Sequence, residues 1–248
     1  MLSPNQIETI KAQAHYCLPS LLPKVGYIYP LPMYNIVKMG PNMYNSRLGL
    51  LLLTETDIAK IMKEKTGQEP KIEDIYPLTY LVQSAAHDDM FLLELQAAFS
   101  TFIKEDILIL PKINAVLVGP PQEKRLITDQ NFGDFQDILR IQNRKEIKEA
   151  PPENESAIAR KFRLKREARD AAKRKQQAKK GEDQTLVELL EIADTFGIDR
   201  MNSLYAFYGL VQRNQAREKW NQDVQMICAG ADPKKIKTKY WGESLKEK

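Results

Sequence analysis

A proline pair followed by a long basic segment is the feature that most constrains the fold of this chain. Pro151 and Pro152 end a helical pattern, and eleven lysine or arginine residues against two carboxylates follow between residues 156 and 180. Two consecutive prolines interrupt a helix, and a segment with so few large apolar residues adds little to a core. The 248 residues therefore divide into two regions joined by a basic connection.

We predict an α+β, mostly helical protein with four parts. The basic segment is rich in Ala, Lys, Arg, Glu and Gln, which favour helices, and it stops at Gly181. The predicted parts are a Pro/Tyr-rich N-terminal arm or small β element over residues 1–50, a mixed α/β core domain over 51–150, a basic connecting helix over 151–181, and a C-terminal helical domain over 182–248.

Six prolines between residues 4 and 41 shape the prediction for the first 50 residues. Proline interrupts helices because it lacks a backbone donor, so we expect no long helix after Leu18. Val25–Tyr29 and Tyr34–Met39 are apolar runs separated by prolines, and we predict a short strand for each. Gly40-Pro41-Asn42 has the composition of a turn.

The spacing of apolar residues predicts the elements of the core region. Thr54 and Asp57 have capping-box spacing, which indicates a helix start. Two short apolar runs separated by Pro111-Lys112 indicate a hairpin. The predicted helices are the segment from Thr54 to Gly67, Ile75–Ala85, Asp88–Ile103 and the segment from Asp129, and the predicted strands are Ile107–Leu110, Ala115–Val118 and Arg125–Thr128.

Two amphipathic helices are predicted after the basic segment. The first begins near Leu186 and stops at Gly197. Asn202 or Ser203 then caps a long helix that runs to about Cys228.

The final stretch begins with Asp232-Pro233, the residue types favoured at a helix N-cap and first turn. We therefore predict a short capped helix there. Its edge of Ile236, Tyr240 and Trp241 packs either on the preceding helix or on a partner.

The sequence offers no motif for catalysis or metal binding. We therefore predict that the protein is not an enzyme and binds neither a cofactor nor a metal. His15 and His87 are the only histidines, and Cys17 and Cys228 lie far apart in no motif. No phosphate-binding loop, nucleophile elbow or zinc motif is present. Two unpaired cysteines and the absence of a secretory signal or a membrane-length apolar run predict a cytoplasmic protein that does not bind membranes.

The basic segment has three alternative interpretations. It binds nucleic acid through phosphate contacts, it binds an acidic protein surface, or it is a solvated linker. Only Phe162 supplies an aromatic ring for stacking on bases, which disfavours nucleic acid. The candidate contact residues are Arg160, Lys161, Arg163, Lys165, Arg166, Arg169, Lys173, Arg174 and Lys175.

Four sequence segments together resemble proteins encoded in the tail modules of Gram-positive phages and prophages. They are NFGDFQDILRIQNRKEI (Asn131–Ile147), the charged connection RKFRLKREARDAAKRKQQAKKG, SLYAFYGLVQRNQ (Ser203–Gln215) and ICAGADPKKIKTKYW (Ile227–Trp241). The resemblance covers roughly residues 85–241, and its last segment is the most specific part. Such proteins are described as tail or baseplate (hub) assembly proteins, or as tail assembly chaperones.

This resemblance implies a non-enzymatic protein of virion morphogenesis. Its expected partners are phage tail, tape-measure or baseplate hub proteins, and its expected place is the host bacterial cytoplasm or the virion tail. Retention in the virion as a structural baseplate part is the close alternative, and nucleic-acid binding by the basic helix is the other. Oligomeric state stays open, a homo-oligomer included. The predicted partner contacts, with core packing as the alternative for each, are Tyr205, Tyr208, Trp220, Tyr240 and Trp241.

Overall fold

The chain folds into short helices and strands, several of which begin or end at recognisable residues of the sequence. A computed structural model describes residues 2–67, 70–145, 186–232, 236, 240 and 242. The fold is mostly helical with small antiparallel sheets, which confirms the predicted α+β, mostly helical class. Contacts divide the chain into two compact units, one comprising Met1–Glu146 and Arg200–Leu210, the other Ile147–Asp199 and Val211–Lys248.

The first unit holds most of the described elements. Its helices are α1 (Pro4–His15), α2 (Met33–Met39), α3 (Pro41–Leu51), α4 (Glu55–Thr66), α5 (Pro77–Ala86), α6 (Asp89–Phe102) and α7 (Asp129–Gln142). Its strands are β1 (Ser20–Leu22), β2 (Gly26–Ile28), β3 (Ile107–Leu110), β4 (Ala115–Val118) and β5 (Arg125–Ile127).

Side-chain caps define the ends of several helices. The Thr54 hydroxyl accepts from the Asp57 amide while the Asp57 carboxylate accepts from the Thr54 amide, which confirms the predicted capping box of α4. Gly67 ends that helix in a left-handed conformation with φ +72°. Asp88 accepts from the amides of the first turn of α6, the predicted start. Helix α5 begins at Pro77, two residues later than predicted, because Pro77 disfavours helical geometry at the residue before it.

The prediction of a strand over Tyr34–Met39 was wrong. These residues form α2, which buries Met33 and Ile36 at helical spacing. Pro32 takes an extended conformation at the N-cap, so the proline starts the helix rather than preventing one. The predicted turn at residues 40–42 is instead a helix junction, where Gly40 has φ +97° and Pro41 opens α3.

Two antiparallel sheets lie in the first unit. Strands β1 and β2 form a hairpin in which Leu21 pairs with Tyr27. Strand β4 lies between β3 and β5, with Leu108 opposite Leu117 and Leu117 opposite Leu126. This arrangement confirms the predicted hairpin of β3 and β4 and the predicted third strand.

Aromatic packing between α6 and α7 forms part of the core of the first unit. Phe99 lies with its ring centroid 5.5 Å from that of Phe135 and 6.4 Å from that of Phe132, and all three are buried. Tyr44 of α3 packs on Phe102 and donates its hydroxyl to the buried Asn143 side chain. Burial raises the pKa of the Tyr44 hydroxyl, so it is protonated at neutral pH.

Residues Arg200–Leu210 complete the first unit from a distant part of the chain. Ser203 forms an antiparallel bridge with Pro32, and the Met33 amide donates to the Asn202 carbonyl at 2.9 Å. The buried Ser203 hydroxyl donates to the Ala14 carbonyl and accepts from the Ala206 amide at 3.1 Å. Ser203, one of the two predicted candidates, is thus the residue that caps the long C-terminal helix.

The described part of the second unit is helical. Helix α8 (Leu186–Thr195) ends before Gly197, which has φ +64°. Helix α9 (Leu204–Cys228) begins in the first unit and continues through the second, and it confirms the predicted long helix. None of the described helices is long and apolar enough to cross a bilayer.

The division of the chain into the four predicted parts is not tested as a whole and stays a prediction. The proline pair at residues 151–152 and the predicted basic helix lie outside the described residues. The first 50 residues contain a small β element, as expected, but only β2 lies within a predicted strand, Val25–Tyr29. Strand β1 was not predicted, and three helices of the first unit share this segment.

Candidate functional site

A cleft of about 810 Å³ opens on the surface of the first unit. Its walls come from the segment 29–32, from α2 and α3, and from the second half of α6. Proline, leucine and methionine carbons supply apolar wall, and Ser100 and Thr101 add hydroxyls. The volume falls within the range of ligand-binding pockets in proteins.

Three cations from three different elements line this cationic cleft. They are Lys38 of α2, Arg47 of α3 and Lys104, which follows α6. None of the described residues that line the cleft is an aspartate or a glutamate. Glu94, which pairs with Arg47, offsets one of these three charges, so the cleft keeps a net positive charge that favours an anionic ligand.

Arg47 is held in place at the wall of the cationic cleft. Its Nη1 donates to the Thr101 hydroxyl at 3.3 Å, and its Nε lies 3.5 Å from a Glu94 carboxylate oxygen. That second contact is not a hydrogen bond, so the buried Nε–H has no acceptor among the described residues. The contact with Glu94 is an ion pair, which holds the guanidinium without a direct Nε hydrogen bond.

Lys104 lies over an aromatic ring that also lines the cleft. Its Nζ is 4.4 Å from the centroid of Tyr29. Such a cation–π contact holds the ammonium at a defined position. It also covers one face of the Tyr29 ring.

Cys17 lines the same cleft in a strained backbone conformation, with φ +57°. Its thiol lies 3.7 Å from the Pro30 carbonyl oxygen. Burial raises the pKa of the Cys17 thiol, and the nearby Lys104 only partly offsets this. The thiol is therefore protonated at neutral pH and is a poor nucleophile there.

A second surface feature is an apolar face on the β1–β2 hairpin. Leu21 and Tyr27 are direct cross-strand partners, and they are 59% and 49% exposed. Their neighbours Leu22 and Ile28 point inward and are buried. Just before β1, Tyr16 and Leu18 are also exposed. We call the paired residues Leu21 and Tyr27 the hairpin face.

The predicted partner contacts Tyr205 and Tyr208 are both half-buried in the first unit. The Arg144 guanidinium lies over the Tyr205 ring, 4.5 Å from its centroid. Tyr208 packs edge-on against Phe207, and burial raises the pKa of its hydroxyl. Both rings thus contact their own protein, and their role in partner binding stays a prediction.

Trp220 and Tyr240 lie together in the second unit. Their ring centroids are 5.8 Å apart in an edge-to-face arrangement, with Tyr240 exposed. The structure thus places Tyr240 against the preceding helix, one of the two predicted alternatives. Trp241 lies outside the described residues, as do the nine basic candidates of the connecting segment.

Metal-ligating residues are not brought together in the part of the chain that the structure describes. No group of three or more His, Cys, Asp or Glu side chains could hold a metal ion there. His15 packs edge-on against Tyr16, and His87 follows α5 at its C-terminal end.

Sequence reasoning missed the cationic cleft. Lys38, Arg47 and Lys104 lie on separate elements and share no spacing, so no local pattern connects them. The hairpin face was missed because β1 was not predicted. A two-residue alternation in Ser20-Leu21-Leu22 was the available signal, but it is too short to be distinctive.

The resemblance to phage tail assembly proteins stays a prediction from its four sequence segments. No protein-family model, curated protein or solved structure matches this chain.

Proposed function

We propose that this protein is a non-enzymatic assembly protein of phage tails or baseplates that acts as a chaperone. It binds tail, tape-measure or baseplate hub components through protein–protein contacts. The observation that carries the proposal is the hairpin face, where Leu21 and Tyr27 expose a directly paired apolar surface. The resemblance of the four sequence segments supports the choice of phage tail components as partners.

Paired apolar side chains that are exposed on a surface favour a protein partner. Leu21 and Tyr27 lie side by side on a strand pair whose opposite face is buried. Transfer of these side chains from water into an interface is favourable by about 25 cal/mol per Å². Unassembled tape-measure and hub proteins would expose apolar surface of their own, which a chaperone must cover before assembly.

Co-purification tests the proposal. The tagged protein is isolated from cells that express the neighbouring tail genes, with nuclease treatment, and bound proteins are identified by mass spectrometry. We expect tail, tape-measure or hub proteins to co-purify, and we expect mature particles to lack the protein. Failure to recover any tail component would overturn the proposal.

A pair of matched variants links the result to the hairpin face. In the test variant, Leu21→Ser and Tyr27→Ser remove the paired apolar side chains. In the control, Leu108→Ser and Ile113→Ser remove two exposed apolar side chains from the other sheet region. We expect the test variant to lose the partner and the control to retain it.

Two other outcomes would replace the chaperone role. Presence of the protein in mature particles would make it a structural baseplate component. Recovery of nucleic acid alone, abolished when the nine basic candidates become glutamine, would make it a nucleic-acid-binding accessory protein.

A further inference from the structure

We propose that the cationic cleft is a second binding site, which takes the carboxylate groups of an extended acidic segment from a protein partner. This inference rests on the proposed function, since it assumes that the ligand belongs to a protein. It adds a polar site of defined chemistry to the apolar hairpin face.

Charge complementarity is the first argument for a carboxylate ligand. Lys38, Arg47 and Lys104 converge on one cleft whose described lining contains no carboxylate. Lys38 is exposed and makes no ion pair with a described residue, and Lys104 is exposed and lies over the Tyr29 ring. Cations gathered in a cleft focus positive potential and repel each other, and an anion relieves that repulsion.

The preorganised guanidinium of Arg47 is the second argument. A hydrogen bond from Nη1 to the Thr101 hydroxyl and the ion pair between Nε and Glu94 hold the side chain at the cleft. A guanidinium presents its donors as a planar fork that matches a carboxylate. Because Thr101 and Glu94 already hold the side chain, little rotamer entropy is lost when it binds a ligand.

The walls of the cleft favour an extended peptide over a nucleotide. One face of the Tyr29 ring is covered by the Lys104 ammonium, so a base cannot stack there. Pro30, Leu31 and Pro32 offer aliphatic carbons beside the cations. A cleft of about 810 Å³ also exceeds what a single phosphate ion fills. Alternating acidic and apolar side chains would use both kinds of wall.

A direct titration of the purified full-length protein tests this inference. The probe is a fluorescein-labelled peptide of alternating glutamate and leucine, and its binding is followed by fluorescence anisotropy. The same peptide with glutamine in place of glutamate is the uncharged counterpart. Inorganic phosphate and adenosine triphosphate are titrated as competitors.

Two variants report on the cationic cleft. Lys38→Gln changes an exposed side chain without described contacts, so it leaves the fold intact, and we expect about threefold weaker binding. Lys38→Gln combined with Lys104→Gln should weaken binding about tenfold. The matched control is Lys60→Gln with Lys112→Gln, which removes the same charge from exposed positions outside the cleft.

The inference stands if the acidic peptide binds, the glutamine peptide does not, and only the cleft variants weaken the binding. It is overturned if the control variant weakens binding equally, because net charge alone would then explain it. It is also overturned if adenosine triphosphate or phosphate binds to the cleft and the acidic peptide does not.

Failure of this inference and failure of the proposed function are separable. The titration uses a defined peptide and no tail protein, so a negative result overturns the cleft ligand alone. Co-purification that recovers no tail component overturns the assembly role instead.

Discussion

The two small sheets of the first unit differ in how much of their apolar surface is covered. In the β3–β4–β5 sheet, all four residues of β4 are buried between neighbouring strands and helices. In the β1–β2 hairpin, only alternate residues are buried, and Leu21 and Tyr27 face outward. The central strand β4 of one sheet is thus part of the core, whereas the hairpin is a surface element with one apolar face uncovered.

This difference separates stability from recognition within a single unit. A substitution in β4 removes core packing and therefore destabilises the whole unit. A change on the hairpin face removes no internal contact of comparable size. Effects on folding and on partner binding should therefore fall on different sheets.

The largest expected effect is that of Val116→Asp in β4. Val116 is fully buried, and an unpaired carboxylate at this position lacks both water and a counter-charge. We expect a loss of more than about 4 kcal/mol in the free energy of unfolding, measured by urea denaturation. Leu108→Asp in β3, an exposed position, should cost far less. Equal losses at both positions would refute the distinction between the covered and uncovered strand faces.

A smaller effect is expected where the two sheets meet. Arg125 of β5 donates to the Val25 carbonyl at 3.3 Å and so contacts the hairpin. Gly26 has φ +126°, and a Cβ there would lie 2.7 Å from Arg125 Nη1. We expect Gly26→Ala to destabilise by about 2 kcal/mol, measured by urea denaturation.

Gly49→Ala is the control for that substitution. Gly49 lies within α3, and nothing lies within 4 Å of the position that its Cβ would take. Alanine favours the helix, so this variant should gain about 0.5–1 kcal/mol. If both substitutions raised the free energy of unfolding, neither the positive φ of Gly26 nor its closeness to Arg125 would constrain that position.

The ion pair between Arg125 and Glu105, beside Gly26, is expected to contribute about 1 kcal/mol to the free energy of unfolding, with a defined pH dependence. Arg125 Nη1 donates to Glu105 at 2.8 Å, and this hydrogen bond lowers the pKa of the Glu105 carboxyl below its usual 4.5. Because the lower pKa belongs to the folded state, the pair stabilises above pH 4.5, and the stabilisation is lost as the pH falls further. Glu105→Gln should cost about 1 kcal/mol at pH 7.

The measurement is the difference in unfolding free energy between wild type and Glu105→Gln as a function of pH. We expect that difference to shrink as the pH falls below 4.5. Glu64→Gln, at an exposed position of α4, is the matched carboxylate control and should show little cost. A difference that stays constant down to low pH would contradict the role of the charge.

The smallest effect on stability is expected from the hairpin face. Leu21→Ser with Tyr27→Ser should change the free energy of unfolding by no more than about 0.5 kcal/mol for each residue. The same variant should lose partner binding in the co-purification. A large loss of stability would show that this face is a structural surface and not a binding surface.

Sequence reasoning succeeded where local signals agree with the final structure. The Thr54–Asp57 capping box, the start of α6 at Asp88 and the β3–β4 hairpin all have signals within a few residues, and each was predicted. The prediction of a strand for the residues of α2 failed because Pro32 was expected to prevent a helix there. Proline is compatible with the start of a helix. Helix α3 was missed for the same reason, since Pro41 opens it.

The candidate sites depended on long-range contacts that no local pattern records. Arg47 reaches Thr101 across 54 residues of sequence, and Lys104 lies beside the other cations only after α2, α3 and α6 have packed. The hairpin face depends on which side of β1 is covered. One sequence without an alignment does not contain that information.

The position of Ser203 has a consequence for synthesis on the ribosome. The Ala14 carbonyl accepts from a side chain 189 residues further along the chain, and Pro32 also pairs with Ser203. Helices α1 and α2 are therefore made long before the segment that completes their contacts has left the exit tunnel. The first unit cannot reach its final form during translation of its own N-terminal part, and its nascent form is exposed to chaperones and proteases for that interval.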